Sequence, residues 1–130
     1  LLNVQDVMHP INKIALVNPA TRVSDLVIEM TKFPLGAACI VDNINLLGII
    51  TDGDLRRSLG KNKELLKMTV KEIMNKTPHT ISPNVSLGEA LKKMENGKKQ
   101  ISVLPVTKST SPDQILGLLR LHDIYTPNMR

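Results

Sequence analysis

The chain has 130 residues, of which 42% are hydrophobic and only 2% aromatic, and its formal net charge is +5. This length can bury a core as one domain or two small half-domains, and aliphatic side chains must fill it. No apolar run reaches the roughly 18–20 residues of a membrane helix, and nothing resembles a signal peptide. We therefore expect a soluble, cytoplasmic protein with no membrane partner. Because the chain starts at Leu1 rather than Met, we also expect it to be a piece of a longer protein.

The sequence contains an internal repeat. The motif VQDVM at residues 4–8 returns as VKEIM at residues 70–74, and each copy is followed by a proline, Pro19 or Pro83. Apolar residues then recur at i, i+3, i+4 and i+7, which predicts one buried face of a helix in each copy. These residues are Val23, Leu26, Val27 and Met30 in the first copy and Leu87, Ala90, Leu91 and Met94 in the second. The sequence SLGE at residues 86–89 predicts a capping box at the start of the second helix.

Each helix is followed by a run that favours β-structure, then by a turn, a second strand and a short closing helix. In the first copy these segments are residues 37–41, 42–45, 46–51 and about 52–59, and in the second copy they are residues 101–106, 108–114, 115–120 and about 122–125. The first strands open at residues 13–15 and 79–82. Each copy thus reads β-α-β-β-α after a short helical lead-in.

This pattern predicts a mixed α/β (α+β) fold made of two pseudo-symmetric β-α-β-β-α repeats. We place the first repeat at residues 1–63 and the second at residues 64–130. A unit of about 60 residues leaves one sheet face and two helix stripes to bury, so the two repeats should pack together as one module.

The doubled arrangement resembles a tandem cystathionine-β-synthase (CBS) domain pair, also called a Bateman module. The resemblance rests on the two lead-ins and on the doubled endings, Gly48 with Thr51 and Asp54, and Gly117 with Arg120 and Asp123. It implies a regulatory module that binds a nucleotide, often of adenosine type, in clefts between the repeats. It also implies that the modules associate as homodimers or tetramers.

A narrower resemblance involves residues 35–36, residues 41–42 and the run GIITDGDLRR at residues 48–57. This combination is similar to the C-terminal CBS pair of arabinose 5-phosphate isomerases. In that family an N-terminal sugar-isomerase (SIS) domain interconverts D-ribulose 5-phosphate and D-arabinose 5-phosphate for Kdo and lipopolysaccharide synthesis. The resemblance implies such an isomerase as the parent enzyme, with a regulatory nucleotide of adenosine or cytidine type. This chain itself shows no nucleophile–base pair, so we predict no catalytic residues in it.

The first ending supplies the main candidate site. Thr51 and Asp54 stand where a strand ends and a helix begins, and a helix N-terminus favours anions. The resemblance implies that Thr51 and Asp54 hold a ribose and a phosphate, and Arg56 or Arg57 can add positive charge. The motif is also typical of a helix start, with Thr51 or Asp52 as N-cap and Asp54 favourable to the helix dipole. Both interpretations stay open at this point.

The second ending departs from the pattern, because Arg120 replaces the hydroxyl while Asp123 remains. Arg120 can either form a salt bridge with Asp123 and close that cleft, or bind a phosphate directly. We therefore expect unequal sites, with the better one at Thr51 and Asp54. By the resemblance, the openings of the first strands should form the walls facing the base, at Ile14, Ala15, Thr80 and Ile81.

Other chemistry is not indicated. Cys39 is alone and lies in an apolar run, so we expect a core residue. His9, His79 and His122 lack the spacing of metal ligands, and we expect them at the surface or at a cleft edge, with no metal or resident cofactor. The lysines and arginines are dispersed and aromatic residues are almost absent, so we expect no nucleic-acid partner.

Two alternative functions remain open. The first is a module that binds no ligand and serves only in dimerisation. The second is the same module attached to a different parent protein as an adenine-nucleotide sensor.

Overall fold

A computed structural model of the protein describes residues 1–127. In chain order its helices and strands are α1 (Val4–Val7), β1 (His9–Pro10), β2 (Ala15–Val17), α2 (Val23–Lys32), β3 (Ala37–Asp42), β4 (Asn45–Thr51), α3 (Asp52–Lys61), α4 (Leu87–Glu95), β5 (Val103–Lys108), β6 (Ser111–Arg120) and α5 (Leu121–Tyr125), with 3-10 turns at Ile11–Lys13, Leu65–Lys67 and Val70–Glu72. None of the helices described is both long enough and apolar enough to cross a lipid bilayer.

The residues fall into two compact units, which we name by the repeat that supplies most of each. The first-repeat unit is Ile14–Pro78, and the second-repeat unit is Leu1–Lys13 together with the chain from His79 onward. Each unit therefore contains the lead-in of the other repeat. The predicted repeat boundary near residue 63 stays a prediction, and residues 128–130 of the second predicted repeat lie outside the described residues.

The first-repeat unit is built on a three-stranded sheet. Strand β2 pairs in parallel with β3, and β3 pairs antiparallel with β4. The predicted turn is a tight one around Asn43, whose φ of 56° lies in the left-handed region that asparagine tolerates better than most residues. Helix α2 buries Val23, Leu26 and Met30 as predicted. Val27 is 41% exposed, so its predicted place in the core is wrong.

The second-repeat unit repeats this plan with two local corrections. Strand β6 begins at Ser111 and pairs there with Lys108, so the predicted turn over residues 108–114 is mostly strand. Two register shifts between Val106 and Lys108 absorb the extra residues as bulges. The strand predicted at residues 79–82 is only an isolated parallel bridge between Ile81 and Val106. Prolines stand on both sides of this segment, at positions 78 and 83, and they limit strand extension.

The capping box predicted at residues 86–89 is confirmed in part, and the predicted core position of Cys39 is confirmed. Ser86 caps α4 by accepting a hydrogen bond from the Glu89 N–H (3.1 Å), but the structure shows no return bond from the Ser86 N–H to the Glu89 side chain, so the capping box is only half formed. Ala90 and Met94 are buried beneath the helix. Cys39 is fully buried, and burial raises the pKa of its thiol to about 12, which keeps it in the inert neutral form.

Each lead-in pairs with the last strand of the unit that contains it, next to a glycine. In the second-repeat unit His9 pairs with Leu118 and Pro10 with Gly117. In the first-repeat unit the backbones of Asn75 and Ile49 exchange two hydrogen bonds, of 3.0 and 2.9 Å. These glycines belong to the doubled endings, and close backbone approach explains them without a ligand.

Adding a Cβ at these glycines should therefore disrupt the lead-in contact. A Cβ at Gly117 would overlap the His9 carbonyl, and one at Gly48 would lie 2.7 Å from the Asn75 oxygen. We expect Gly117→Ala to lower the free energy of unfolding by about 2 kcal/mol, as overpacking does. Gly60→Ala is the control, because nothing lies within 4 Å of its added Cβ. In α3 this control should be neutral or stabilising by up to about 1 kcal/mol. Urea unfolding of both variants checks this, and equal stability would contradict it.

Candidate functional site

The first ending forms a complete capping box where β4 passes into α3. The Thr51 N–H donates to Asp54 Oδ2 (2.9 Å), and the Asp54 N–H donates to Thr51 Oγ1 (3.2 Å). Arg57 Nη2 donates to the other carboxylate oxygen, Oδ1 (2.6 Å). Thr51 is therefore the N-cap, so the helix-start interpretation is confirmed as geometry. Arg56 is exposed and is not the arginine that contacts Asp54.

The sheet places this helix start at one edge of the first-repeat unit. Ala37 lies opposite Thr51, and the next residue, Ala38, lies beside Ala15. The starts of β2 and β3 and the end of β4 thus meet at the same edge. Ile14 and Ala15, which were expected to face the base, are 3% and 0% exposed, and their role in a ligand wall stays a prediction.

A backbone contact fixes the direction of α3 at the same edge. The Asp52 N–H donates to the Gly36 carbonyl (3.0 Å), and Gly36 has a φ of +80°, which a side chain would disfavour. The first turn of α3 is therefore held by the residues just before β3. This turn contains the Asp54 carboxylate and directly follows the Thr51 hydroxyl, the two groups that form the candidate site.

The second ending holds a buried ion cluster instead. Arg120 donates two hydrogen bonds to Asp123, from Nε to Oδ2 (3.0 Å) and from Nη2 to Oδ1 (3.2 Å). A further hydrogen bond joins His9 Nε2 to Asp123 Oδ2 (2.7 Å). Of the two roles open for Arg120, the salt bridge with Asp123 is the one the structure shows.

Burial distinguishes the two carboxylates. Asp123 is 3% exposed, whereas the side chains of Asp54 and Arg57 are 25% and 67% exposed. Burial alone would raise the pKa of the Asp123 carboxyl, but hydrogen bonds and charge from Arg120 and His9 outweigh burial and lower it. Asp123 is thus an ionised carboxylate with both oxygens engaged, while Asp54 makes an exposed contact of the kind worth little.

Of the two positions expected for His9, the cleft edge stays a prediction and the open surface is wrong, because this residue is only 9% exposed. Its partner Asp123 lies 114 positions away, so no local pattern joins them. One signal was present: His9 follows Met8 in the first lead-in as Asn75 follows Met74 in the second. That repeat alignment predicts equivalent positions, and the structure shows both residues pairing with a last strand.

Thr80 and Ile81 do not gather around Asp123. Ile81 pairs with Val106, whereas Arg120 pairs with Val103, three residues earlier on β5. At about 3.3 Å per strand residue these positions are about 10 Å apart along the sheet. Thr80 and Ile81 instead line a cavity of about 400 Å³ towards the tip of the β5–β6 hairpin. Within residues 1–127 no cluster of three or more histidine, cysteine or acidic residues is placed to hold a metal ion.

Comparison with known proteins identifies the class. The family model of the CBS domain matches residues 4–61 and again residues 70–126, so the chain belongs to the CBS-domain family, as a pair. Among solved structures, CBSX2 of Arabidopsis thaliana in complex with AMP superposes with a TM-score of 0.80 at 22% identity, covering 96% of this chain and 94% of that one. A CBS pair in complex with 5′-methylthioadenosine and S-adenosyl-L-methionine gives 0.81 at 23%, with coverages of 96% and 94%.

Relatives in sequence point to a narrower group. The chain is 32% identical over 130 residues to the arabinose 5-phosphate isomerase KdsD of Francisella tularensis, and 35% identical over 125 residues to that of Pseudomonas aeruginosa. These alignments cover 100% and 95% of this chain. The chain spans only 38% and 37% of the length of these relatives.

The two carboxylates should differ in their effect on stability. Asp123→Ala removes a buried carboxylate that bonds both Arg120 and His9, so we expect the free energy of unfolding to fall by about 3 kcal/mol. Asp54→Ala removes an exposed cap and should cost about 1 kcal/mol. Urea unfolding of residues 1–130 measures both. Equal losses would show that the burial difference does not decide the energetics.

The lowered pKa of Asp123 also predicts a loss of stability in acid. Because its pKa is lower folded than unfolded, its contribution is present above the unfolded value of about 3.9 and is lost as the pH falls below it. Asp123→Asn should flatten this part of the pH dependence between about pH 5 and pH 2. Asp113→Asn, an exposed acid of β6 for which the described residues show no ion pair, is the control. If both variants keep the native slope, the prediction fails.

Proposed function

We propose that this CBS pair is a regulatory module that binds a nucleotide at the Thr51–Asp54 helix start. The observation that carries the proposal is the partly exposed capping box at the N-terminus of α3, a ten-residue helix. Its hydroxyl and its carboxylate offer hydrogen-bond partners to a ribose, and the helix N-terminus together with Arg57 favours a phosphate. The AMP and S-adenosyl-L-methionine complexes of structurally similar CBS pairs support a ligand of this class.

Ligand binding at this position costs little in broken contacts. Arg57 holds one oxygen of Asp54 through an exposed ion pair, and such pairs contribute only about 0–1 kcal/mol. A ribose hydroxyl can replace that contact while Arg57 turns towards a phosphate. At the second ending the same exchange would break a buried cluster, which costs about 3–5 kcal/mol. We therefore expect a nucleotide to bind at Thr51 and Asp54 and not at Arg120 and Asp123.

We further propose that the parent protein is an arabinose 5-phosphate isomerase whose SIS domain precedes this chain. The similarity to KdsD relatives over at least 95% of the chain supports this. In such an enzyme the module would adjust the interconversion of D-ribulose 5-phosphate and D-arabinose 5-phosphate. A late product of Kdo synthesis, such as its cytidylylated form, is the chemically sensible inhibitor. The coupling requires that the ligand prefer one of two states of the enzyme.

A module that only dimerises is the second candidate. Large apolar side chains on the first-repeat unit are exposed, and a partner copy would cover them: Val27, Ile28, Leu59 and Leu66 are 41%, 56%, 65% and 56% exposed. This function needs no ligand, so it is separable by experiment.

Calorimetric titration with AMP, CMP and the cytidylylated sugar tests the sensor function. We expect saturable binding of one nucleotide per chain, weakened at least about tenfold in Asp54→Ala, since a lost charged hydrogen bond is worth about 1.5–3 kcal/mol. Asp123→Ala should bind as the native chain does.

A matched control separates ligand contact from helix capping. Asp6 closes the same kind of capping box with Asn3 at α1 (2.8 and 3.3 Å). Asp6→Ala therefore loses an equivalent cap and should bind nucleotide normally. No binding by any nucleotide, with self-association intact, would favour the dimerisation function. Equal weakening in Asp54→Ala and Asp123→Ala would contradict the unequal sites.

A further inference from the structure

The cavity lined by Thr80 and Ile81 lies in the second-repeat unit, at the hairpin end of its sheet. It has a volume of about 400 Å³ and is open to solvent on one side. Three segments enclose it: residues 80–82, the outer face of α4, and the tip of the β5–β6 hairpin. Its size lies within the range of small-molecule sites.

The walls carry hydroxyl groups and two ammonium groups. Ser82 Oγ and Ser109 Oγ are hydrogen-bonded to each other (2.7 Å), and Thr107 lies on the wall while only 4% exposed. The Lys93 ammonium donates to the Thr80 carbonyl and keeps two further donors. Lys108 stands at the end of β5, and the structure shows no carboxylate within ion-pair distance of it among residues 1–127. The wall of the cavity thus combines two ammonium groups with several hydroxyl groups.

One acid completes the wall. Glu89 lies one turn before Lys93 on α4, and the described residues show no ion pair between them. The titratable groups of the wall are therefore two lysines and one glutamate, a net charge of +1. A carboxylate beside hydroxyls can accept hydrogen bonds from the hydroxyls of a ligand.

The first-repeat unit contains the equivalent cavity with the opposite charge. Six of its lining residues align with lining residues of the second cavity at an offset of 64 positions, as Thr21 aligns with Val85 and Asp25 with Glu89. At the same offset Glu29 stands where the second repeat has Lys93. Lys32 is the one lysine of that wall, against two acids. The same fold thus provides a matched cavity that should repel anions.

We propose that the cavity of the second-repeat unit binds a small organic phosphate monoester that also carries hydroxyl groups. Lys93 and Lys108 hold the phosphate by charge-assisted hydrogen bonds, and Glu89 with the serine pair receives the hydroxyls. The lining residues of this cavity belong to the second-repeat unit, whereas the proposed nucleotide position is the start of α3 in the first-repeat unit. The two proposals can therefore fail independently.

Hydrogen–deuterium exchange of the full-length protein with ribose 5-phosphate tests the site. We expect protection of peptides covering residues 80–82 and 107–112, because a bound ligand slows local opening there. Lys108→Gln should weaken this protection about tenfold in ligand concentration, equivalent to about 1.4 kcal/mol. Lys32→Gln, the control in the matched cavity, should leave it unchanged. Protection of other segments, such as a catalytic domain that takes the same probe, does not depend on Lys108.

Two further probes test which part of ribose 5-phosphate the cavity recognises. Ribose without phosphate should protect neither segment, and inorganic phosphate should protect them only at much higher concentration. The proposal is overturned by three results: no protection of these peptides at millimolar ribose 5-phosphate, an equal effect of Lys108→Gln and Lys32→Gln, or equal protection by ribose 5-phosphate and by either of its parts. AMP protecting the α3 start in both lysine variants would leave the nucleotide proposal standing on its own.

Discussion

The structure depends on the close backbone contact between each exchanged lead-in and a glycine of the last strand. Gly117 receives His9 and Pro10, and Gly48 receives Asn75. Neither contact leaves room for a side chain, so the glycine fixes the register of the lead-in on the strand. Three residues after each glycine, the strand ends and a helix begins. The position of the candidate site is therefore set by a packing requirement of the lead-in.

The same backbone frame carries different chemistry in the two units because one residue differs. Thr51 has a short hydroxyl that accepts from the Asp54 N–H at the third residue of α3, and the Asp54 carboxylate accepts from the Thr51 N–H. Arg120 cannot cap in this way, so α5 has no side-chain cap and the guanidinium bonds Asp123 instead. His9 then closes the cluster from the lead-in. The exchange of a hydroxyl for a guanidinium, together with His9 of the lead-in, accounts for the buried carboxylate of Asp123 beside the partly exposed carboxylate of Asp54.

Local periodicity predicted most of the fold, and contacts distant in sequence account for what it missed. The helices α2 and α4 follow from apolar spacing, and the hairpins follow from alternating runs and turn residues. The exchange of lead-ins has no local signal, since it joins residues such as Asn75 and Ile49 through backbone atoms alone. The cap at Thr51 was visible as a motif, whereas the burial of His9 required its partner at position 123.

The candidate site lies at the sheet edge at which the chain enters the first-repeat unit. The chain passes from the second-repeat unit to the first between Lys13 and Ile14. Ile14 immediately precedes β2, whose start lies at the same sheet edge as Thr51. A ligand bound at Thr51 and Asp54, as we propose, would lie at the sheet edge at which the chain enters the first-repeat unit. The first lead-in is packed into the second-repeat core through Val4 and Val7. Packed cores change between discrete arrangements rather than deform continuously. A small displacement of the chain at Lys13–Ile14 is therefore a means by which a bound ligand could favour one packing arrangement of the second-repeat core over another.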